Sequence, residues 1–338
     1  MSVAERDKRE TVVITGASAG VGRAVAHAFA QRGARIGLLA RGGKGLDEAA
    51  LEVEALGGRA LALSTDVAEA EAVRAAALAV EERFGPIDVW VNDAMATIFA
   101  PIEQIDAAEF ERATRVTYLG TVHGTMAALE RMRERDRGVI VQVGSALAYR
   151  AIPLQSAYCG AKFAIRGFTD SVRTELMHDH SGIWITMVQL PAVNTPQFNW
   201  CRTRLPDHPQ PVPPIYQPEV PAEAVYFAAH QRRRELWVGW GAVKAIAGNQ
   251  LAPRFADWYL ARQGYESQQV EGERVDPGRP DNLFEPVPAQ AATHGNFDRQ
   301  ASDRSPFLWA SKHRAAVAAA ALLAGAVGAA APLLARRR

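Results

Sequence analysis

The chain reads as α/β, a doubly wound parallel sheet in a single domain with a C-terminal extension, and three observations carry that reading. Short apolar runs alternate with longer helical patterns from residue 12 to residue 189, the order that βαβ crossovers and a parallel sheet require. The runs are apolar throughout rather than at every second residue, as strands covered on both faces must be. A glycine-rich turn joins the first run to the first helical pattern.

The strands are expected at Val12 to Thr15, Arg35 to Leu39, Ala60 to Ser64, Ile87 to Asn92, Val139 to Val143 and Trp184 to Gln189, with helices near 20–32, 46–56, 69–84, 107–135 and 156–179. A last strand at Glu235 to Gly239 precedes a helical pattern over Ala242 to Arg262. The domain thus spans 9–262. Ligands in such a sheet sit at the carboxyl ends of the strands, where residues 16–22, Asp66, Asn92, Ser145 and Pro191 gather.

The 338 residues are 48% hydrophobic and carry a net charge of +1, enough for one large domain and without a basic stripe that would call for nucleic acid. Two cysteines and an N-terminus lacking an apolar core point to a reducing compartment, a cytoplasmic setting for the catalytic domain. The eight histidines show no metal-ligand spacing, so no metal is expected.

Thr15-Gly16-Ala17-Ser18-Ala19-Gly20-Val21-Gly22 links strand to helix. A helix N-terminus offers unpaired amides and a positive dipole to a pyrophosphate. Gly16 allows the tight turn, Gly20 a close approach to phosphate and Gly22 close packing of helix on strand. A glycine loop without a ligand is the alternative at this point. Further along, Ser145 follows the fifth strand, and Tyr158 and Lys162, four apart, share one face of a helix. One ammonium charge at roughly 4 Å, in an effective dielectric near 20, favours a phenolate by about 4 kcal/mol. Tyr158 then exchanges a proton with a carbinol or carbonyl oxygen that Ser145 holds. An ordinary surface helix with a Tyr/Lys pair is the competing reading.

Thr-Gly-x-x-x-Gly-x-Gly at 15–22, Asp66-Val67, Ser145 and Tyr-x-x-x-Lys at 158–162 together resemble the short-chain dehydrogenase/reductase family over about residues 9–240. The resemblance implies a Rossmann fold and reversible hydride transfer between NAD(P) and an alcohol/carbonyl pair. It implies Tyr158 as acid/base, Lys162 on the nicotinamide ribose, Ser145 on the substrate oxygen and Asp66, with Val67, near the adenine. Ser18, Ala19, Gly20 and Val21 join the phosphate loop, and Asn92 and Ala94 the wall beside it. Three positions depart from the family pattern. Asn92-Asp93-Ala94-Met95 stands where Asn-Asn-Ala-Gly is common. Thr117 stands where many members use an asparagine to hold a proton-relay water. Pro191-Ala192 replaces Pro-Gly, with Val193 and Thr195 as contacts to the carboxamide.

The second strand ends in Ala40-Arg41 rather than in a carboxylate. A carboxylate there bonds the ribose 2′-hydroxyl and repels a 2′-phosphate, whereas a guanidinium binds phosphate. NADP(H) is favoured over NAD(H), with Arg41 pointing into solvent as the alternative. Segment 191–218, with Phe198, Trp200 and Tyr216, lies where the family has its substrate lid and suggests a lipophilic alcohol or carbonyl substrate. Residues 263–310 read as an extended linker or a loop wrapped over the domain. Residues 311–338 hold the uncharged run Ala315 to Ala335, long enough to span a bilayer as a helix. Its alanines equally suit a helix packed on the domain or a partner. A homodimer or homotetramer through the helices near 107–135 and 156–179 is expected from the family. Two other functions stay open: a cofactor-binding scaffold or redox sensor, and an epimerase or dehydratase on the same fold.

Overall fold

A computed structural model describes residues 9–287 and 291–319. Seven parallel strands form the central sheet: β1 (Thr11–Thr15), β2 (Arg35–Ala40), β3 (Arg59–Ser64), β4 (Val89–Asn92), β5 (Gly138–Ser145), β6 (Ile183–Leu190) and β7 (Glu235–Trp237). Their spatial order is β7-β6-β5-β4-β1-β2-β3. The order reverses between β1 and β4, and the crevice at the carboxyl end of that pair is where such sheets take ligands.

The helices are α1 (Gly20–Ala30), α2 (Lys44–Ala55), α3 (Ala70–Phe84), α4 (Ala107–Thr114), α5 (Gly120–Met132), α6 (Ser156–His178), α7 (Glu219–His230), α8 (Trp240–Leu251), α9 (Pro253–Gln263) and α10 (Pro306–Lys312). Because side chains alternate across a strand, Val12 and Ile14 enter the core shared with α1 and α7, while Val13 and Trp90 enter the core shared with α3, α5 and α6. Both layers are closed to water, which explains why the strands lack polar alternation.

Two helical patterns are broken. The single helix expected over 107–135 has a π-helical turn at Arg115–Leu119 between α4 and α5. The pattern over 242–262 breaks at Ala252, where Pro253 opens α9, since proline fits a first helical turn but not a helix interior.

Described residues after 263 lie on the domain. Gln269–Arg274 pairs antiparallel with Asp207–Pro209, and Ala301–Ser302 joins Ile215–Tyr216, which in turn pairs with Ala192–Val193. Leu308 of α10 enters the α1/α7 core. Of the apolar run 315–335, residues 315–319 are helical and the rest lie outside the described residues. Among the described residues no helix is long and apolar enough to cross a membrane.

Candidate active site

The Thr15 hydroxyl accepts from the amides of Asp93 (3.0 Å) and Ala94 (3.1 Å), which ties the ends of β1 and β4 together. Gly16 then turns with φ +74°, and a Cβ there would sit 2.9 Å from Ala94 Cα. A Cβ on Gly22 would sit 2.3 Å from Gly16 O, so α1 packs on the turn only because both residues are glycine. No side chain caps the N-terminus of α1.

Across the crevice, β5 ends at Ser145, whose Oγ accepts from Leu147 N at 3.1 Å. Tyr158 lies in the first turn of α6, and its phenol is hydrogen-bonded to Ser145. Lys162, one turn on, is 4% exposed, donates to Val143 O at 2.7 Å and stands 5.5 Å from the Tyr158 ring centroid. Burial lowers the Lys162 ammonium to about 8, with Asp93 acting in the opposite sense. Asp93 is pushed up to about 7 by burial, against Lys162 and the Gly22 amide, which favour its charge. The phenol of Tyr158 is raised by burial despite the Ser145 hydrogen bond. The lowering that spacing alone suggests for Tyr158 is therefore outweighed by the apolar packing around it.

These groups share a cavity of about 450 Å³. Gly16, Ser18, Ala19, Gly20 and Val21 line it, as do Arg41, Asp66, Val67 and Ala94. Ser145, Tyr158, Lys162, Pro191, Val193 and Thr195 complete its other walls. Gly22, Asn92 and Thr117 do not reach it. Asn92 is buried beneath, where its side chain meets Trp90 Nε1 (2.8 Å), Gln142 (2.9 Å) and Thr125 (3.2 Å). Thr117 sits in the π-helical turn, and its hydroxyl accepts from Ala96 N and donates to Ala96 O, both at 2.9 Å. Its one proton is thereby used. Phe198 and Trp200 of the lid line the cavity, whereas Tyr216 packs toward Gly239.

Three features escaped the sequence reading. Asp93 was visible only as a departure from a pattern. Arg112 of α4 pairs with Asp66 at 2.6 Å and donates to Leu283 O at 3.1 Å. The third is residues 282–287 and 291–292, which meet Arg41, Gly20 and Arg23 beside the crevice. Arg41 donates to the carbonyls of Leu283 (3.3 Å), Phe284 (2.9 Å) and Asn282. Its guanidinium is thus held by these carbonyls at the edge of the cavity rather than free in solvent. The Gly20 amide donates to Ala292 O at 2.9 Å, and Arg23 donates to Ala291 O at 3.2 Å. No local signal links residue 41 to residue 283.

Residues 10–204 match the family described as short chain dehydrogenase. The oxidoreductase YxnA of Bacillus subtilis (strain 168) is 32% identical over 95% of this chain and 89% of its own length. Short-chain dehydrogenase/reductase 3 of Bos taurus is 32% identical over 73% of this chain and 81% of its own length. Among solved structures, an alcohol dehydrogenase from the archaeon Thermococcus sibiricus, complexed with 5-hydroxy-NADP, superposes with a TM-score of 0.59 at 28% identity. A metagenomic short-chain oxidoreductase in complex with NADP gives a TM-score of 0.57 at 26% identity. Each covers 68% of this chain and 96% of its own.

Proposed function

Because the chain belongs to the short-chain dehydrogenase family, we propose that it is an NADP(H)-dependent oxidoreductase acting on a secondary alcohol or ketone. The observation that carries this reading is the convergence of Ser145, Tyr158 and Lys162 on the cavity that the first turn of α1 also lines. The residues fit a dinucleotide: a Cβ would fill the turn at Gly16 and Gly22, and the first turn of α1, with no side-chain cap, borders the cavity. Ala40-Arg41 at the end of β2 and the NADP-type ligands of both solved neighbours support the 2′-phosphorylated form.

When bound, the nicotinamide supplies or accepts the hydride. Ser145 donates a hydrogen bond to the substrate oxygen and fixes it beside Tyr158. Tyr158 gives its proton to that oxygen in reduction and takes it back in oxidation. Burial keeps the phenol protonated, the form that serves a carbonyl acceptor. Lys162 is held by Val143 O and faces Asp93, so its charge stays at the base of the site. Apolar side chains including Phe99, Leu147, Phe198 and Trp200 exclude water and suit a lipophilic substrate.

The same proposal includes a cytoplasmic catalytic domain and a homodimer or homotetramer. Exposed Met126 on α5 and Phe163 and Met177 on α6 support that assembly, which sedimentation tests. Titration with NADPH and NADH, with nicotinamide fluorescence as the signal, tests the cofactor. In a screen of ketones, Tyr158→Phe is expected to lose about 10²–10⁴-fold in kcat while still binding nucleotide. A scaffold or sensor would show no turnover to lose, and an epimerase or dehydratase no net NADPH consumption.

A further inference from the structure

We propose that Gln155, clamped by Gln268, is a specificity-determining residue that reads a second hydroxyl on the substrate, so that the substrate is a hydroxyketone in one direction and the matching diol in the other. The inference deepens the oxidoreductase reading above and rests on it.

Gln155 immediately precedes α6, three residues before Tyr158, so about 5 Å of helix axis separates the two. Both line the cavity, together with Gln268. Gln268 lies beyond the residues 10–204 that match the family and is fully buried. Its backbone is fastened by Gln210, whose amide N donates to Gln268 O at 2.9 Å and whose side chain donates to Ser267 O (3.3 Å) and Gln269 O (2.7 Å).

The two side chains form a run of hydrogen bonds with only one possible direction. Nε2 of Gln268 donates to Pro153 O (2.9 Å) and to Gly264 O (2.6 Å). Carbonyl oxygens only accept, so both N–H bonds of Gln268 are spent there and its Oε1 is left for Gln155. That oxygen accepts from Gln155 Nε2 at 2.7 Å. Gln155 therefore presents its nitrogen to Gln268 and turns its own oxygen away from it. Among the described residues nothing donates to the Gln155 oxygen, although the residue is only 8% exposed.

A buried amide oxygen without a donor costs free energy until one arrives. Other walls of the cavity, Phe99, Ile152, Phe198 and Leu260 among them, are apolar. The donor that fits is a neutral hydroxyl on a carbon skeleton rather than an ammonium, whose burial against such walls is costly. A site arranged in this way discriminates against the analogue that lacks the hydroxyl, because its own oxygen then stays unpaired.

Initial rates of the full chain with NADPH are compared for two matched pairs, cyclohexanone with 4-hydroxycyclohexanone and 2-adamantanone with 5-hydroxy-2-adamantanone, in which the rings fix the span from hydroxyl to carbonyl. The expected result is a kcat/KM about tenfold higher or more for the hydroxylated member of at least one pair. In Gln155→Met, which keeps the length and removes the amide, that ratio is expected to fall to near one. Gln268→Met, which frees the Gln155 amide to turn, is expected to lower it in the same direction. Each ratio is taken within one preparation and so does not depend on how much of a variant is folded. Equal or lower kcat/KM for the hydroxylated member of both pairs overturns the proposal and shows that water suffices for the Gln155 oxygen. A preference that survives Gln155→Met unchanged overturns it as well. No reduction of these four ketones or of any in the wider screen overturns the oxidoreductase reading along with it, whereas turnover without preference overturns the hydroxyl reading alone.

Discussion

Asp93 stands between the glycine turn and Lys162, and burial raises its carboxyl to about 7 from an ordinary 3.8. An acid raised in this way contributes stability that is complete at low pH and is lost as pH climbs from about 4 through 7. Asp93→Asn removes the loss. By urea unfolding, the variant is expected to match its parent near pH 4 and to exceed it on the order of 1 kcal/mol at pH 8, once solvent screening is allowed for. A difference that does not change with pH would show the carboxylate to be fully solvated. With the anion gone, burial acts unopposed by Asp93 on Lys162, which falls further below about 8.

At the scale of elements, the packing of α1 on its turn depends on an absent methyl group. Gly22→Ala forces a Cβ toward Gly16 O at 2.3 Å, with an expected cost of about 1–3 kcal/mol and a loss of NADPH affinity seen in the same fluorescence titration. A second device joins α4 to the lid. Glu109, 2% exposed, accepts from Arg202 and from Arg204 (2.7 Å), and it completes the capping box with Asp106 at the start of α4. Burial raises its carboxyl, but the two arginines prevail and hold it below the usual range. Its contribution is therefore present above about pH 4.5 and disappears as pH falls through the lowered value. Glu109→Gln is expected to lose about 1–3 kcal/mol in urea unfolding at pH 7 and progressively less on acidification. The seven sheet strands and most helices were legible because their period is set by burial on known faces. The π-helical turn was not, since Arg115-Val116-Thr117-Tyr118-Leu119 holds no glycine or proline to mark a break in the helix.

For the whole molecule, described residues of the C-terminal part, Leu283 and Leu308, belong to the core they cover. Ser305 caps α10 through Leu308 N (3.1 Å) and donates to Val238 O (2.6 Å), and Leu308 is 5% exposed. Leu308→Ala is expected to lower unfolding free energy by about 2–4 kcal/mol in equilibrium denaturation. The sequence suggested a loop here because apolar anchors are sparse, and a lone leucine such as Leu283 carries no periodicity. The meeting of Ser145, Tyr158 and Lys162 at one cavity was legible because they lie on regular elements at fixed spacing. Asn92 and Thr117 were placed in the site by position along the chain, whereas hydrogen bonds turn both toward the interior. The partners of Arg41 lie 241–243 residues downstream of it. A ribosome adding about 5–20 residues per second emits the glycine turn tens of seconds before the peptide groups that face it. The carbonyls that Arg41 meets are thus among the last groups made, and its guanidinium lacks them through most of the chain's synthesis.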